Sequence, residues 1–356
     1  MQAFFENISP QASVNRTVVV LGTGGTIAGT AVRQDDVLGY SAAQLGVDVL
    51  LRDAIGPGFA GCRLEAEQVS QLDSKDMSVE VWARLAIRIE HHLRRNEVAG
   101  VVVTHGTDTI EETAFFLTCV LAPALVAGKP VVLTCAMRPA TAINPDGPKN
   151  LRDAISVASV GSGGQPQSNG LKGVMVVCAG VIHSPVFVQK VHPTRLDPFE
   201  SGDGPLLGHV SSDGTVIQAH LTPAESARLD AMHANACVPV TWPVTGDWPR
   251  VEIVLNHAGA SSTLVDALVD TSLMPGHPHG RPVRAIVVAG TGNGSVHQDL
   301  LSSLLRAQSR GIQVVRCSRC LFGSVQAVDD HPLPVISPYS PVKTRIKLML
   351  DLLRTT

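Results

Sequence analysis

Short runs of β-branched residues alternate with longer amphipathic stretches along most of the chain. Residues 17–21, 64–72, 101–103, 130–135 and 173–179 are apolar segments bounded by Gly, Pro or polar turns and read as strands, several with the continuous apolar character of strands buried on both faces. Residues 79–95 set Val81, Leu85, Ile89 and His92 on one face with charges opposite, which predicts a helix. Residues 151–160 read as helical too. The stretch 114–127 is apolar but interrupted by Pro123, and it is too short for a bilayer span of ~20 residues, so it reads as a buried helix. This alternation predicts an α/β protein whose larger N-terminal part is a doubly wound, mainly parallel sheet. Residues 211–249 turn polar and proline-studded, with Pro223, Pro239 and Pro243, as an interdomain connection does. Strand and helix patterns resume at 251–255, 262–270, 284–289, 300–308 and 312–317. The expected organisation is an N-terminal domain over 1–210, a linker over 211–249 and a smaller C-terminal α/β domain over 250–356.

Two of the strands end in polar clusters. The first runs into Gly22, Thr23, Gly24, Gly25 and Thr26; the second runs into Thr104, His105, Gly106, Thr107, Asp108 and Thr109. The C-terminal ends of parallel strands are where open α/β sheets hold their ligands, and glycine there lets main chain come close to a small molecule. A dinucleotide loop is disfavoured because Ile27 occupies the last glycine position of G-x-G-x-x-G, and no Gly-Lys-Ser/Thr of a phosphate loop is present. The second cluster also fits a plain capped turn, with Asp108 or Thr109 accepting from the first helical N–H groups and Glu111 and Glu112 suiting the helix dipole. Ser74 stands at a third strand end, or caps the helix that starts near Ser78.

Composition narrows the function classes. A chain of 356 residues with 44% hydrophobic residues can fill two cores, and a formal charge of −3 offers no electrostatic case for nucleic acid or an anionic membrane. Seven scattered cysteines argue for reduced thiols, and residues 1–16 lack the basic start and apolar core of a secretory signal, so a cytoplasmic protein is expected. Cys317 and Cys320 lack a second Cys pair and read as ordinary thiols, not a zinc site. His91 and His92 are expected at solvated or edge positions, and His277 and His279 in an exposed loop.

The two clusters together resemble the paired signatures of the bacterial-type L-asparaginases and glutaminase-asparaginases. Further likeness lies at 73–77, 129–132, 136–139, 146–151, Lys190 and 289–294. The resemblance implies an amidohydrolase acting on L-asparagine first and L-glutamine second, without metal or organic cofactor. It implies Thr26 as nucleophile beside the backbone of Gly25, helped by Tyr40 from a polar lid at 30–46. It further implies that Ser74 binds the substrate α-carboxylate, that Asp108 takes the α-ammonium, and that Thr107, Lys190 and Asp108 form a second group. On position alone, Lys190 reads as an exposed residue of the loosely alternating 186–191; desolvated, it could exchange a proton near neutral pH. The turn carrying Ser295 is expected from a neighbouring subunit, in a homotetramer built as a dimer of intimate dimers. Two departures stand out. Lys75 replaces a substrate-touching glutamine of many secreted members, and residues 324–328 offer no acid where those members carry a glutamate. Both departures also fit a non-catalytic amino-acid sensor that keeps the pocket.

Overall fold

The computed structural model describes residues 5–8, 16–36, 38–55, 62–160, 171–236, 246, 248–272, 281–326, 331–335 and 339–354. The histidine tract at 277–279, the loop read at 161–170, most of the first sixteen residues and residues 327–328 lie outside them. The chain divides into two units, Met1–Cys237 and Val238–Thr356.

The strands of the first unit are β1 (Phe5–Ile8), β2 (Thr17–Gly24), β3 (Thr30–Ala31), β4 (Tyr40–Ser41), β5 (Arg63–Leu72), β6 (Val98–Thr104), β7 (Val131–Thr134), β8 (Val174–Cys178), β9 (Val181–His183), β10 (Gln189–Lys190), β11 (Phe199–Glu200), β12 (Gly208–Val210) and β13 (Val216–Ala219). Its helices are α1 (Val47–Ile55), α2 (Val79–Leu93), α3 (Ile110–Val120), α4 (Pro123–Val126), α5 (Gly147–Val160) and α6 (Pro223–Ala236). Nine strands form one sheet in the order β1-β13-β12-β9-β8-β7-β6-β2-β5. The segment β5-β2-β6-β7-β8 is parallel, and β9, β12, β13 and β1 extend it antiparallel. All of β2 and β6 is buried, as strands covered by helices on both faces must be. One face carries a core of Val18, Val20, Val102 and Val132 against α1 and α5, and the other is covered by α2 and α3. The predicted doubly wound α/β architecture is what the chain adopts. The predicted buried helix at 114–127 breaks where Pro123 opens the short α4.

The chain leaves β2 for β5 on one side and passes from β6 to β7 on the other. The β2/β6 boundary is therefore the point at which the strand order reverses. There the turns after β2 and β6 touch through main chain. Gly25 has φ +80°, and a Cβ on it would overlap the backbone of Gly106; a Cβ on Gly106 would in turn overlap Ser74. Behind this contact, His105 is fully buried. Its Nδ1 donates to the Gly106 carbonyl at 2.8 Å, its Nε2 accepts from Thr113 Oγ1 at 2.8 Å, and Trp82 Nε1 donates to that same hydroxyl at 2.7 Å. The bond to a carbonyl places the proton on Nδ1, so both ring nitrogens are satisfied in the neutral form. Burial holds the His105 pKa at about 4 against the usual 6.5.

Two sequence expectations change here. His92 is buried rather than solvated, while His91 is exposed. His92 Nε2 meets Glu67 at 2.7 Å, Arg88 joins the same carboxylate at 2.6 Å, and Arg95 Nη1 meets His92 Nδ1 at 3.1 Å. A ring on the apolar face of α2 finds partners on β5 that lie far off in sequence. The second change concerns the connection read over 211–249. Its first part supplies β13 and α6 to the first unit, with Pro223 at the opening position of α6, where a missing N–H costs nothing.

The second unit is a three-stranded parallel sheet in the order β14 (Arg250–Leu255), β15 (Val283–Gly290), β16 (Gln313–Ser318), flanked by α7 (Thr263–Ser272), α8 (Gln298–Ser309) and α9 (Pro341–Leu353). Its core joins Val254, Val265, Ile286, Val288, Leu304 and Val314. No helix among the described residues is long and apolar enough to cross a membrane.

Gly25→Ala combines an unfavourable dihedral with a backbone clash, whereas Gly173→Ala, at φ +82° in open space, carries the dihedral cost alone. We expect Gly25→Ala to be the more destabilising by over ~1 kcal/mol in denaturant unfolding. Equal costs for the two variants would refute the close approach. The neutral His105 gives a second expectation. Between pH 6.5 and about 4 the unfolded chain takes up a proton that the folded chain resists. Stability is therefore full above pH 6.5 and falls by about 3 kcal/mol on acidification through that window. Unfolding midpoints measured against pH should fall less steeply for His105→Gln than for the wild type, and parallel curves would contradict it.

Candidate active site

The apposed glycines bring the next residues of the two turns side by side. Thr26 begins a 3-10 turn directly after Gly25 and is buried. The hairpin β3–β4 pairs Ala31 with Tyr40 and returns the tyrosine over this turn, so that Thr26 Oγ1 and Tyr40 Oη lie 2.6 Å apart. Tyr40 thus sits half-buried on a strand. The expected lid segment is braced by Asp36, which accepts from the N–H groups of Leu38 and Gly39, and by Ala31 N–H donating to Thr141 Oγ1 at 2.8 Å.

Thr107, Asp108 and Lys190 form the second cluster. Lys190 Nζ donates to Thr107 Oγ1 at 2.8 Å and to Asp108 Oδ1 at 2.6 Å. With the ammonium donating to it, the Thr107 oxygen is polarised and its own hydrogen is directed elsewhere. Thr107 is buried, whereas the Asp108 side chain is 54% exposed and so keeps a carboxylate oxygen open for a second cation. Ser74, buried at the end of β5, accepts from Asp108 N–H at 3.3 Å through Oγ and from Thr109 Oγ1 at 2.8 Å through its carbonyl. Thr23 Oγ1 donates to the Thr104 carbonyl at 2.8 Å and ties the two strand ends together.

These bonds replace the capped-turn reading. Thr109 occupies the cap position of α3 but makes no side-chain capping bond, and its hydroxyl goes to Ser74 instead. The cap of α2 is Ser78, which leaves Ser74 at the site. Lys75 takes another course. Its Nζ lies 2.8 Å from Asp76 and 3.1 Å from Asp73 with the side chain 62% exposed, and these two carboxylates, Asp76 first, raise its pKa. Two groups escaped the sequence reading. His105 was visible only as part of a motif, and Glu111, taken as a dipole partner, accepts the Lys190 backbone N–H at 2.8 Å.

In the second unit the turn Gly290–Ser295 closes through paired bonds between Thr291 and Ser295, and Ser295 is exposed. Asn293 bonds Gln326 through both its amide oxygen and its amide nitrogen, and Arg316 Nη1 donates to the Asn293 carbonyl at 2.8 Å. The polar tip is therefore used by its own unit at Asn293. Cys317 is buried, its thiol pushed up to about 12 by desolvation, while Cys320 is exposed. Among the described residues no group of three or more His, Cys, Asp or Glu side chains is placed to hold a metal ion.

Comparison with known proteins gives the same outline. Residues 17–223 match the family model "Asparaginase, N-terminal", and residues 250–356 match "Glutaminase/Asparaginase C-terminal domain". The chain is 33% identical to L-asparaginase 2 of Bacillus subtilis over 339 residues, covering 94% of this chain and 82% of that protein. It is 32% identical to L-asparaginase 2 of Escherichia coli, covering 95% and 89%. The crystal structure of a probable cytoplasmic L-asparaginase from Campylobacter jejuni superposes with a TM-score of 0.77 at 34% identity, covering 95% of each chain. Two matched family models spanning both units, relatives aligned along nearly the whole chain and a shared fold place this protein in the asparaginase family.

Proposed function

We propose that this protein hydrolyses the side-chain amide of a small amino acid, L-asparagine in preference and L-glutamine second, releasing the acid and ammonia. The observation that carries this reading is the 2.6 Å contact between Thr26 Oγ1 and Tyr40 Oη, one glycine contact away from the Thr107–Lys190–Asp108 group. A threonine hydroxyl is a weak nucleophile unless a neighbour accepts its proton. Thr26 Oγ attacks the amide carbon as its proton passes to Tyr40 Oη, which in the same relay gives its own proton to the leaving nitrogen; the carbon–nitrogen bond breaks and ammonia departs. The acyl ester on Thr26 is then cleaved by a water held at Thr107, whose hydroxyl is polarised by Lys190: the water oxygen bonds the acyl carbon, the ester carbon–oxygen bond breaks, and a water proton returns to Thr26 Oγ as the acid leaves. Main-chain N–H groups of the two glycine-bearing turns are assigned to the oxyanion. The open carboxylate of Asp108 suits the substrate α-ammonium, and Ser74 the α-carboxylate. Lys75, held by two carboxylates, has no part in this reading.

The family relationship supports this reading, and the six free cysteines among the described residues suit a reducing compartment such as the cytoplasm. The catalytic domain is assigned to the first unit, in which β13 and α6 follow residue 210.

Thr26→Ala and Thr107→Val should each lower kcat by ~10³-fold or more with the fold intact by circular dichroism, because each removes a reacting or activating hydroxyl and not a packing group. Ammonia release from asparagine reads this out. Either variant with near-normal kcat would withdraw that residue's role, and a wild type that binds asparagine without releasing ammonia would favour the sensor. We further assign a homotetramer, a dimer of intimate dimers whose Ser295 turns complete neighbouring sites. This assignment rests on the exposed Ser295. Light scattering with a parallel assay should show activity falling on dilution to subunits and impaired by Ser295→Trp; a fully active monomer would exclude it.

A further inference from the structure

Lys190 lies on β10, and among the described residues β10 pairs only with β11, in a two-stranded sheet separate from the nine-stranded sheet whose β2 and β6 lead into the turns of Thr26 and Thr107. Sheet hydrogen bonds therefore do not set the distance from Lys190 to the Thr107 hydroxyl. A lysine side chain with four rotatable carbons does not set it either, since it reaches a point from many backbone positions and loses that precision as entropy. Yet Nζ sits within 2.8 Å of Thr107 Oγ1 and 2.6 Å of Asp108 Oδ1. The main chain must be held as well as the ammonium.

One carboxylate meets this need. Glu111 Oε2 accepts the backbone N–H of Lys190 at 2.8 Å, across 79 residues of sequence. Glu111 lies in the first turn of α3, where the helix dipole favours an ionised acceptor. Residues 107–111 thus grip Lys190 at both ends: Thr107 and Asp108 take the ammonium, and Glu111 takes the peptide nitrogen. A displacement of the β10–β11 hairpin relative to α3 breaks the Glu111 bond. We propose that Glu111 is a positioning residue for the amide hydrolysis, fixing the backbone of Lys190 so that its ammonium stays on Thr107. Glu111 acts through Lys190 and needs no contact with the substrate. The inference rests on the reading of Thr107 and Lys190 given under Proposed function.

The test compares Glu111→Ala, Glu111→Gln and Thr107→Val in the full-length protein by ammonia release from asparagine, with thermal unfolding measured alongside. Glutamine keeps a carbonyl oxygen at the end of the same chain and loses only the charge, so it can still accept the Lys190 N–H. We expect Glu111→Ala to lower kcat by about 10²-fold, the scale of a small misplacement of a catalytic group, with KM changed less than about threefold. Glu111→Gln should restore kcat to within about threefold of the wild type. Near-normal kcat in Glu111→Ala would overturn the proposal, as would a Glu111→Gln variant no better than Glu111→Ala, or a loss that appears in KM alone. A fully active Thr107→Val would instead sink the parent reading, and an inactive Thr107→Val beside a normal Glu111→Ala would sink this inference alone.

Discussion

The contact between the main chains of Gly25 and Gly106 is the constraint on which the rest of the first unit depends. Two strands can lie side by side in a parallel sheet without their following turns meeting, because side chains normally keep such turns apart. Here neither turn has a Cβ at the crossing point, and Ser74 fills the space beside Gly106 that a third side chain would need. The pairing of Gly22 with Thr104 fixes the height at which the two chains leave the sheet, and the bond from Thr23 Oγ1 to the Thr104 carbonyl locks them together. Thr26 and Thr107 follow directly, which is why two hydroxyls more than eighty residues apart in sequence share one site.

Around that contact, polar groups are spent on holding position as much as on chemistry. His105 has both ring nitrogens occupied and burial keeps it uncharged, so it fixes the Gly106 carbonyl while offering the site no mobile proton. Asp108 holds one ammonium while leaving carboxylate surface exposed, an arrangement suited to a ligand that brings a second positive charge.

Much of this was legible in the chain, because buried parallel strands announce themselves as unbroken apolar runs and the glycine-bearing turns follow them at once. The strands 64–72, 101–103 and 173–179 and the helix at 79–95 were read from pattern alone, as were the paired threonine turns. What pattern missed were relationships set by distant partners. The Thr109 hydroxyl is a sound cap by local rules, yet the Ser74 carbonyl competes for it and wins. His92 looked like a surface residue because Glu67 and Arg95 lie on other elements or turns. Glu111 satisfies the dipole rule locally, while its bond to the Lys190 N–H comes from a segment 79 residues away. The short strands β9, β12 and β13, three or four residues each, lack the length for periodicity to register. The elements within residues 211–236, β13 and α6, were hidden for a related reason: proline signals a break in the chain and says little about whether a helix begins there.

The strand β5 has a consequence of a different kind. Among the described residues it closes the sheet on one side with ten residues and no strand beyond it, which in an apolar sequence would be a template for recruiting another chain. Two of its half-buried residues are charged, however, and the charges are anchored: Glu65 to Arg95, and Glu67 to Arg88 and His92, all carried by or just beyond α2. A foreign strand docking there would have to strip water and counterions from these paired groups while gaining only main-chain hydrogen bonds. The same residues that fasten α2 to the sheet thus keep charge beside an edge that uncharged apolar residues would leave open to strand pairing.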